Sequence, residues 1–135
     1  MPYRVFISHG WDDRWLASQI DRRIQELRGT TFIDLSVIEK GDDIEERIFG
    51  EMPNCDEVLV VFTPWSVDRN WVWVEIGAAR ALGKRVVAVF YQVDLSTLER
   101  EKGGSTFLRA KNAVDINDME SYFTELARRI SKADS

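Results

Sequence analysis

Glu75 is the residue best placed in this sequence to do chemistry. Trp71 stands four positions before it, in the run Trp71-Val72-Trp73-Val74-Glu75. Residues four apart share one face of a helix. Asn70 can cap such a helix, so Glu75 falls in its early turns, where a carboxylate can meet a ligand. The same pair on a solvent-facing helix would be only a packing ring and a salt-bridged carboxylate. His9 is the only histidine and Cys55 the only cysteine. No intrachain disulfide can form, no Cys/His metal cage can be built, and a Cys-His catalytic pair is conceivable only between these two. His9 reads better as a hydrogen-bonding wall than as an acid or base. Cys55 reads as a small apolar filler near the start of a strand.

Several chemistries lack their residues. A phosphate-accepting receiver needs an aspartate at the end of the third strand, and Phe62-Thr63-Pro64 stand there. The chain has no Gly-x-Gly-x-x-Gly run and no Gly-rich turn followed by Lys-Ser/Thr. A Ser/Thr/Gly-rich flavin loop after the first strand and a Gly-x-Ser-x-Gly elbow are missing too.

The elements that must position Glu75 can be read from periodicity. Val5-Phe6-Ile7 is a short buried strand. Asp12 and Asp13 cap a helix with Leu16, Ile20, Ile24 and Leu27 on one face, and Gly29 ends it. Thr31-Phe32-Ile33 is a second strand, followed by a polar loop from Ser36 to Gly41. Asp42 or Asp43 opens a helix carrying Ile44, Ile48 and Met52, which Pro53 closes. Val58 to Phe62 and Val86 to Phe90 are apolar on both faces, as strands inside a parallel sheet are. Between them the helix from Asn70 runs to Leu82 and stops at Gly83. A short helix is expected over Leu95 to Glu101 and a short fifth strand over Ala113 to Ile116. Met119, Tyr122, Phe123, Leu126 and Ile130 face inward from a closing helix.

Strands alternating with helices predict an α/β fold. It is a three-layer, flavodoxin-like parallel sheet of about five strands, order 2-1-3-4-5, with helices on both faces. In that order the switch point lies between the first and third strands, and ligands bind beyond their carboxyl ends. The expected site therefore includes Ser8 to Trp11 and Thr63 to Ser66.

The 135 residues suit one domain over 1–135, and 44% hydrophobic content excludes global disorder. A formal net charge of -5 with scattered Lys and Arg disfavours nucleic acid and anionic membrane surfaces as partners. Met1-Pro2-Tyr3-Arg4 lacks a signal-peptide core, and no apolar run approaches the length of a membrane span. Lone Cys55 fits a reducing compartment.

Five segments together resemble the Toll/interleukin-1 receptor (TIR) domain family. Val5-Phe6-Ile7-Ser8-His9 is similar to the family's opening strand. Phe32-Ile33-Asp34 followed by Gly41 resembles its second strand and BB loop, and Phe62-Thr63-Pro64 the Leu-Ser-Pro ending its third. Trp71 to Glu75 matches the Trp-x-x-x-Glu of NAD-cleaving members, and Lys84 to Val89 resembles the following strand. The match runs in order from residue 3 to about 92, and beyond it only the general layout is similar.

The resemblance implies a bacterial-type NAD+ nucleosidase, cytoplasmic and engaged in antiphage immune signalling. It would cut the nicotinamide–ribose bond to give nicotinamide and ADP-ribose or a cyclic isomer. NAD would be the substrate, with no cofactor and no metal. By resemblance Glu75 is the catalytic carboxylate. Ser8, His9 and Gly10 line the nucleotide crevice, Asp34, Leu35 and Gly41 border it, and Trp65 and Trp71 wall the nicotinamide. Enzymatic relatives often carry a basic residue where Gly10-Trp11 stand here, so Arg14 or Lys40 is expected at the pyrophosphate. Self-association through the BB loop, residues 36–42, is implied as well. Two other functions fit the same boxes: a non-catalytic TIR scaffold, and a nucleoside deoxyribosyltransferase-like enzyme with a glutamate nucleophile.

Overall fold

The computed structural model describes residues 2–33, 46–67, 70–93 and 113–134. Strands β1 (Arg4–Ser8), β2 (Thr30–Ile33), β3 (Glu57–Phe62), β4 (Arg85–Phe90) and β5 (Ala113–Asp115) form one sheet in the order β2-β1-β3-β4-β5. Every neighbouring pair is parallel. Helices α1 (Arg14–Glu26) and α3 (Met119–Asp134) cover one face, and α2 (Asn70–Ala81) covers the other with the segment around Ile48 to Cys55. This is the flavodoxin-like arrangement that the alternating pattern predicts.

Strand side chains alternate between faces. Phe6, Val58, Val60, Phe62, Val86, Ala88 and Phe90 point toward α2. Val5, Ile7, Leu59, Val61, Val87 and Val89 point toward α1 and α3. In β1, β3 and β4, even-numbered residues thus face α2 and odd-numbered ones face α1 and α3. β3 is buried along its whole length, which is why it is apolar on both faces.

Local details depart from the pattern. β3 begins at Glu57 rather than Val58. Arg47–Glu51 is a π-helical turn and Met52–Asn54 a 3-10 turn, so Pro53 sits inside a turn instead of ending an α-helix. Ile48 and Met52 are nonetheless buried together. The expected helix start at Asp42, the loop over 36–41 and the helix over 95–101 lie outside the described residues.

The first helix ends at Glu26, and Arg28, not Gly29, takes the left-handed backbone, at φ 70°. Gly29 N–H donates to the Ile24 carbonyl at 3.0 Å and Arg28 N–H to the Gln25 carbonyl at 2.9 Å, which closes a Schellman motif. Gly29 is needed for space: a Cβ there would lie 2.9 Å from both Ile24 and Ile130. Gly83 ends α2 as expected, with φ 71°. Among the described residues no helix is long and apolar enough to cross a membrane.

Candidate active site

β1 and β3 pair with Ser8 opposite Val60, so Ser8 ends its strand at the switch point, facing α2. On α2, Val72, Glu75, Ile76 and Ala79 are all buried. Their spacing is that of one apolar stripe, and Glu75 occupies a place in it that an aliphatic residue would normally fill. The Glu75 side chain is 1% exposed, and Ser8 Oγ donates to its Oε1 at 3.2 Å. A buried carboxylate is costly without polar company, and Ser8 supplies part of it. Trp73 steadies the start of the helix by donating Nε1–H to the Val67 carbonyl at 2.9 Å, with its ring against Phe62.

His9 and Gly10 continue from Ser8 and are buried. His9 Nδ1 lies 2.8 Å from the Gly10 carbonyl, which can only accept, so Nδ1 carries the proton. Gly10 passes under the turn after β3. A Cβ on it would stand 3.1 Å from Ser66 Cβ, so any larger residue would press on the turn at Ser66.

A second polar group lies on the opposite face of the sheet. Asp13 was expected to cap α1, but its side chain makes no capping bond. Instead it is buried and accepts from Thr63 Oγ1 at 2.9 Å. Thr63 has odd parity in the β3 register, which turns it toward α1. Its Oγ1 also accepts from the Trp65 and Ser66 amides at 3.2 and 3.3 Å. Ser66 Oγ accepts from the Thr63 amide and donates to the Val61 carbonyl, locking the turn. Burial pushes the Asp13 carboxyl above its ordinary value; the bonds from Thr63 and Ser66 and the nearness of His9 oppose the rise without cancelling it.

The expected site residues therefore divide. Ser8 and Glu75 meet, with His9 and Gly10 adjacent to Ser8 in the chain. Trp71 is half-buried against the core on the α2 side. Trp65 is 54% exposed and lines a groove on the α1 side with Asp12, Asp13, Trp15 and Tyr91; Glu75 is not part of that groove. Asp34, Leu35, Gly41 and Lys40 lie outside the described residues. Arg14 lies over the Trp11 ring and donates to the Trp11 carbonyl at 2.9 Å.

Glu57 is a functional-looking residue that the pattern alone did not single out. It is fully buried at the amino end of β3 and accepts from Tyr3 at 2.5 Å, Tyr122 at 2.6 Å and Arg129 at 2.8 Å. Burial and the Glu57 charge push both phenols up. The cluster sits at the opposite end of the strands from Ser8 and holds α3 to the sheet.

Comparison with known proteins agrees with this architecture. The family model described as TIR domain matches residues 5–130. A curated relative, the "Probable 2' cyclic ADP-D-ribose synthase BdTIR" of Brachypodium distachyon, is 31% identical over 100 residues, 71% of this chain. That alignment spans 44% of the relative's length. The TIR domain of the Toll-related receptor TRR-2 from Hydra magnipapillata superposes with a TM-score of 0.66 at 17% identity, covering 94% of this chain and 97% of that one. The TIR domains of the activated Roq1 resistosome, which recognises the effector XopQ, superpose at 0.63 with 18% identity, covering 98% and 99%. The parallel sheet in the order β2-β1-β3-β4-β5 fits those neighbours, and the family match over residues 5–130 settles the assignment: this chain belongs to the TIR domains.

Proposed function

We propose that this TIR domain cleaves NAD+ at the bond between nicotinamide and ribose, with Glu75 as the catalytic carboxylate. The observation that carries the reading is Glu75 itself, a buried carboxylate held by Ser8 at the carboxyl end of β1. The cyclic ADP-ribose synthase named among its relatives supports the same substrate class.

Departure of nicotinamide leaves positive charge on C1′ and the ring oxygen of the ribose. A carboxylate beside that carbon stabilises or traps the cation, as in glycoside cleavage. Nicotinamide leaves as a neutral molecule, so no second acid is needed. Water then attacks C1′ to give ADP-ribose and a proton, or a nucleophilic atom elsewhere in the same ADP-ribosyl cation attacks C1′, closes a ring and gives up a proton. Ser8 orients Glu75, while His9 and Gly10 line the nucleotide side. Asp34, Leu35, Gly41 and Trp71 complete the border that the family pattern assigns, and the 36–42 segment joins one copy to another. Antiphage signalling in the cytoplasm is the setting proposed for it.

Nicotinamide release from NAD+ tests the reading. Wild type should release it, and Glu75→Gln should lower the rate by at least about 100-fold. Equal turnover by the two proteins removes Glu75 from the mechanism. Complex formation with no NAD+ loss at any protein concentration assigns the chain to a scaffold. Base release from deoxynucleosides, with NAD+ untouched, assigns it to transfer chemistry.

A further inference from the structure

At the switch point the chain leaves β1 toward the α1 face and leaves β3 toward the α2 face. The ladder between the two strands ends at Ser8 and Val60. Beyond it the segments over 9–13 and 63–66 part, and strand pairing no longer sets the distance between them. A ligand at the switch point lies between these two segments, so their spacing sets the width of its crevice.

Asp13 and Thr63 bridge the gap. Thr63 Oγ1 stands 2.9 Å from both Asp13 carboxylate oxygens, and both residues are buried. The bridge is anchored at each end. On the β3 side, Thr63 Oγ1 accepts from the Trp65 and Ser66 amides, and Ser66 Oγ donates to the Val61 carbonyl at 3.0 Å. On the β1 side, the Asp13 amide donates to the Gly10 carbonyl at 3.0 Å, and His9 Nδ1 donates to the same oxygen at 2.8 Å. One residue thus holds Thr63 by its side chain and Gly10 by its backbone. An aspartate before a helix ordinarily spends its carboxylate on that helix's own amides; Asp13 makes no such bond and reaches across the switch point instead.

We propose that Asp13 and Thr63 are positioning residues for the Glu75 site: their bond holds His9 and Gly10 at the distance from the β3 turn that the nucleotide half of NAD+ requires. This deepens the reading of that site and rests on it. Thr63 and Asp13 lie toward the α1 face, whereas Glu75 lies on α2. They act on how the dinucleotide is held, before and during the reaction alike, so their loss appears in KM and spares kcat. Ser8, which bonds Glu75 itself, acts on kcat.

Steady-state nicotinamide release and the NMR signal of the imidazole test the two halves. His9 is the only histidine, so the untagged protein gives one imidazole to follow. Thr63→Val keeps the shape and removes the hydroxyl. It should raise KM for NAD+ about tenfold, leave kcat within about threefold and displace the His9 signal. Thr63→Ser keeps the hydroxyl and should hold KM within about twofold of wild type, with the His9 signal in place. Because Thr63→Val strands a buried carboxylate, Asp13→Leu/Thr63→Val is made as well. With no charge left to bury it should regain stability in urea, yet KM should stay raised, because the bond is still missing. A purely structural role would restore stability and KM together. An unchanged KM in the folded double variant, a loss confined to kcat, an unmoved His9 signal, or Thr63→Ser as impaired as Thr63→Val each overturn the proposal. If wild type leaves NAD+ intact, the reaction at Glu75 falls, and the His9 signal alone then decides: displaced in both variants without the hydroxyl, the bond positions residues 9 and 10; unmoved, it does not.

Discussion

At the scale of single residues, the Ser8 hydroxyl is the nearest lever on Glu75. Its bond to the carboxylate is 3.2 Å long, and in the proposed reaction it would orient that group. A hydrogen bond to a charged group contributes about 1.5–3 kcal/mol. Ser8→Ala should therefore lower kcat about tenfold or somewhat more while KM for NAD+ stays within about twofold, and Ser8→Thr should recover part of the loss. Steady-state nicotinamide release reads both parameters; a change confined to KM would make Ser8 a substrate contact instead. Asp13 offers a test by pH. Its folded-state carboxyl is raised above the ordinary 3.8, mainly by burial, so the folded chain takes up a proton before the unfolded chain does as pH falls. Its contribution to stability is thus most favourable below about pH 4 and is lost as pH rises through the raised value. Asp13→Asn keeps an acceptor for Thr63 and removes the titration. Urea unfolding across about pH 4 to 7 should show wild type losing stability relative to Asp13→Asn as pH rises. A difference that is flat, or that grows with pH, refutes the buried-acid account.

These two residues were not equally legible in the sequence. Glu75 could be picked out because Trp71 precedes it by one turn and a strand and helix frame it. Asp13 looked like a cap because Asp12-Asp13 before a helical pattern is a common start signal. Its real partner, Thr63, is fifty positions away. Only the strand parity that turns Thr63 toward α1 connects them, and parity needs the register.

At the scale of elements, long apolar runs were legible and tie points were not. β3, β4 and the apolar face of α3 announced themselves by period. Arg28 did not, since glycine is the expected left-handed residue and Gly29 stood beside it; here close packing against Ile24 and Ile130 placed the glycine one position later. Glu57 was missed because it precedes the apolar run and its partners come from residues 3, 122 and 129. Yet Glu57 shares the odd parity of Leu59 and Val61, and that is the signal that it points under α3. Arg129 approaches it through Nε at 2.8 Å and Nη2 at 3.3 Å. Arg129→Met would leave the buried Glu57 charge without a cation, a change that typically costs about 3–5 kcal/mol. Urea unfolding should register a loss of that size, and Glu57→Gln/Arg129→Met should regain much of it. A loss below about 1 kcal/mol would mean that apolar packing, not this cluster, holds α3 in place.

At the scale of the whole molecule, the sheet separates two kinds of surface. Ser8 and Glu75 lie on the α2 side, while the aromatic groove at Trp15 and Trp65 and a groove at Arg128 lie on the α1 and α3 side. The net charge of -5 opposes association at long range, so assembly depends on local complementarity and on protein concentration. If assembly completes the border of the Glu75 site, the nicotinamide released per chain should rise with protein concentration. A tenfold increase below the association midpoint should then raise the total rate by well over tenfold, approaching about a hundredfold when two copies suffice. Dilution below the association midpoint should bring the rate per chain down toward that of the lone domain. A rate strictly proportional to protein throughout that range, with the mass from light scattering still climbing, would show instead that each chain carries a complete site and that assembly serves another purpose.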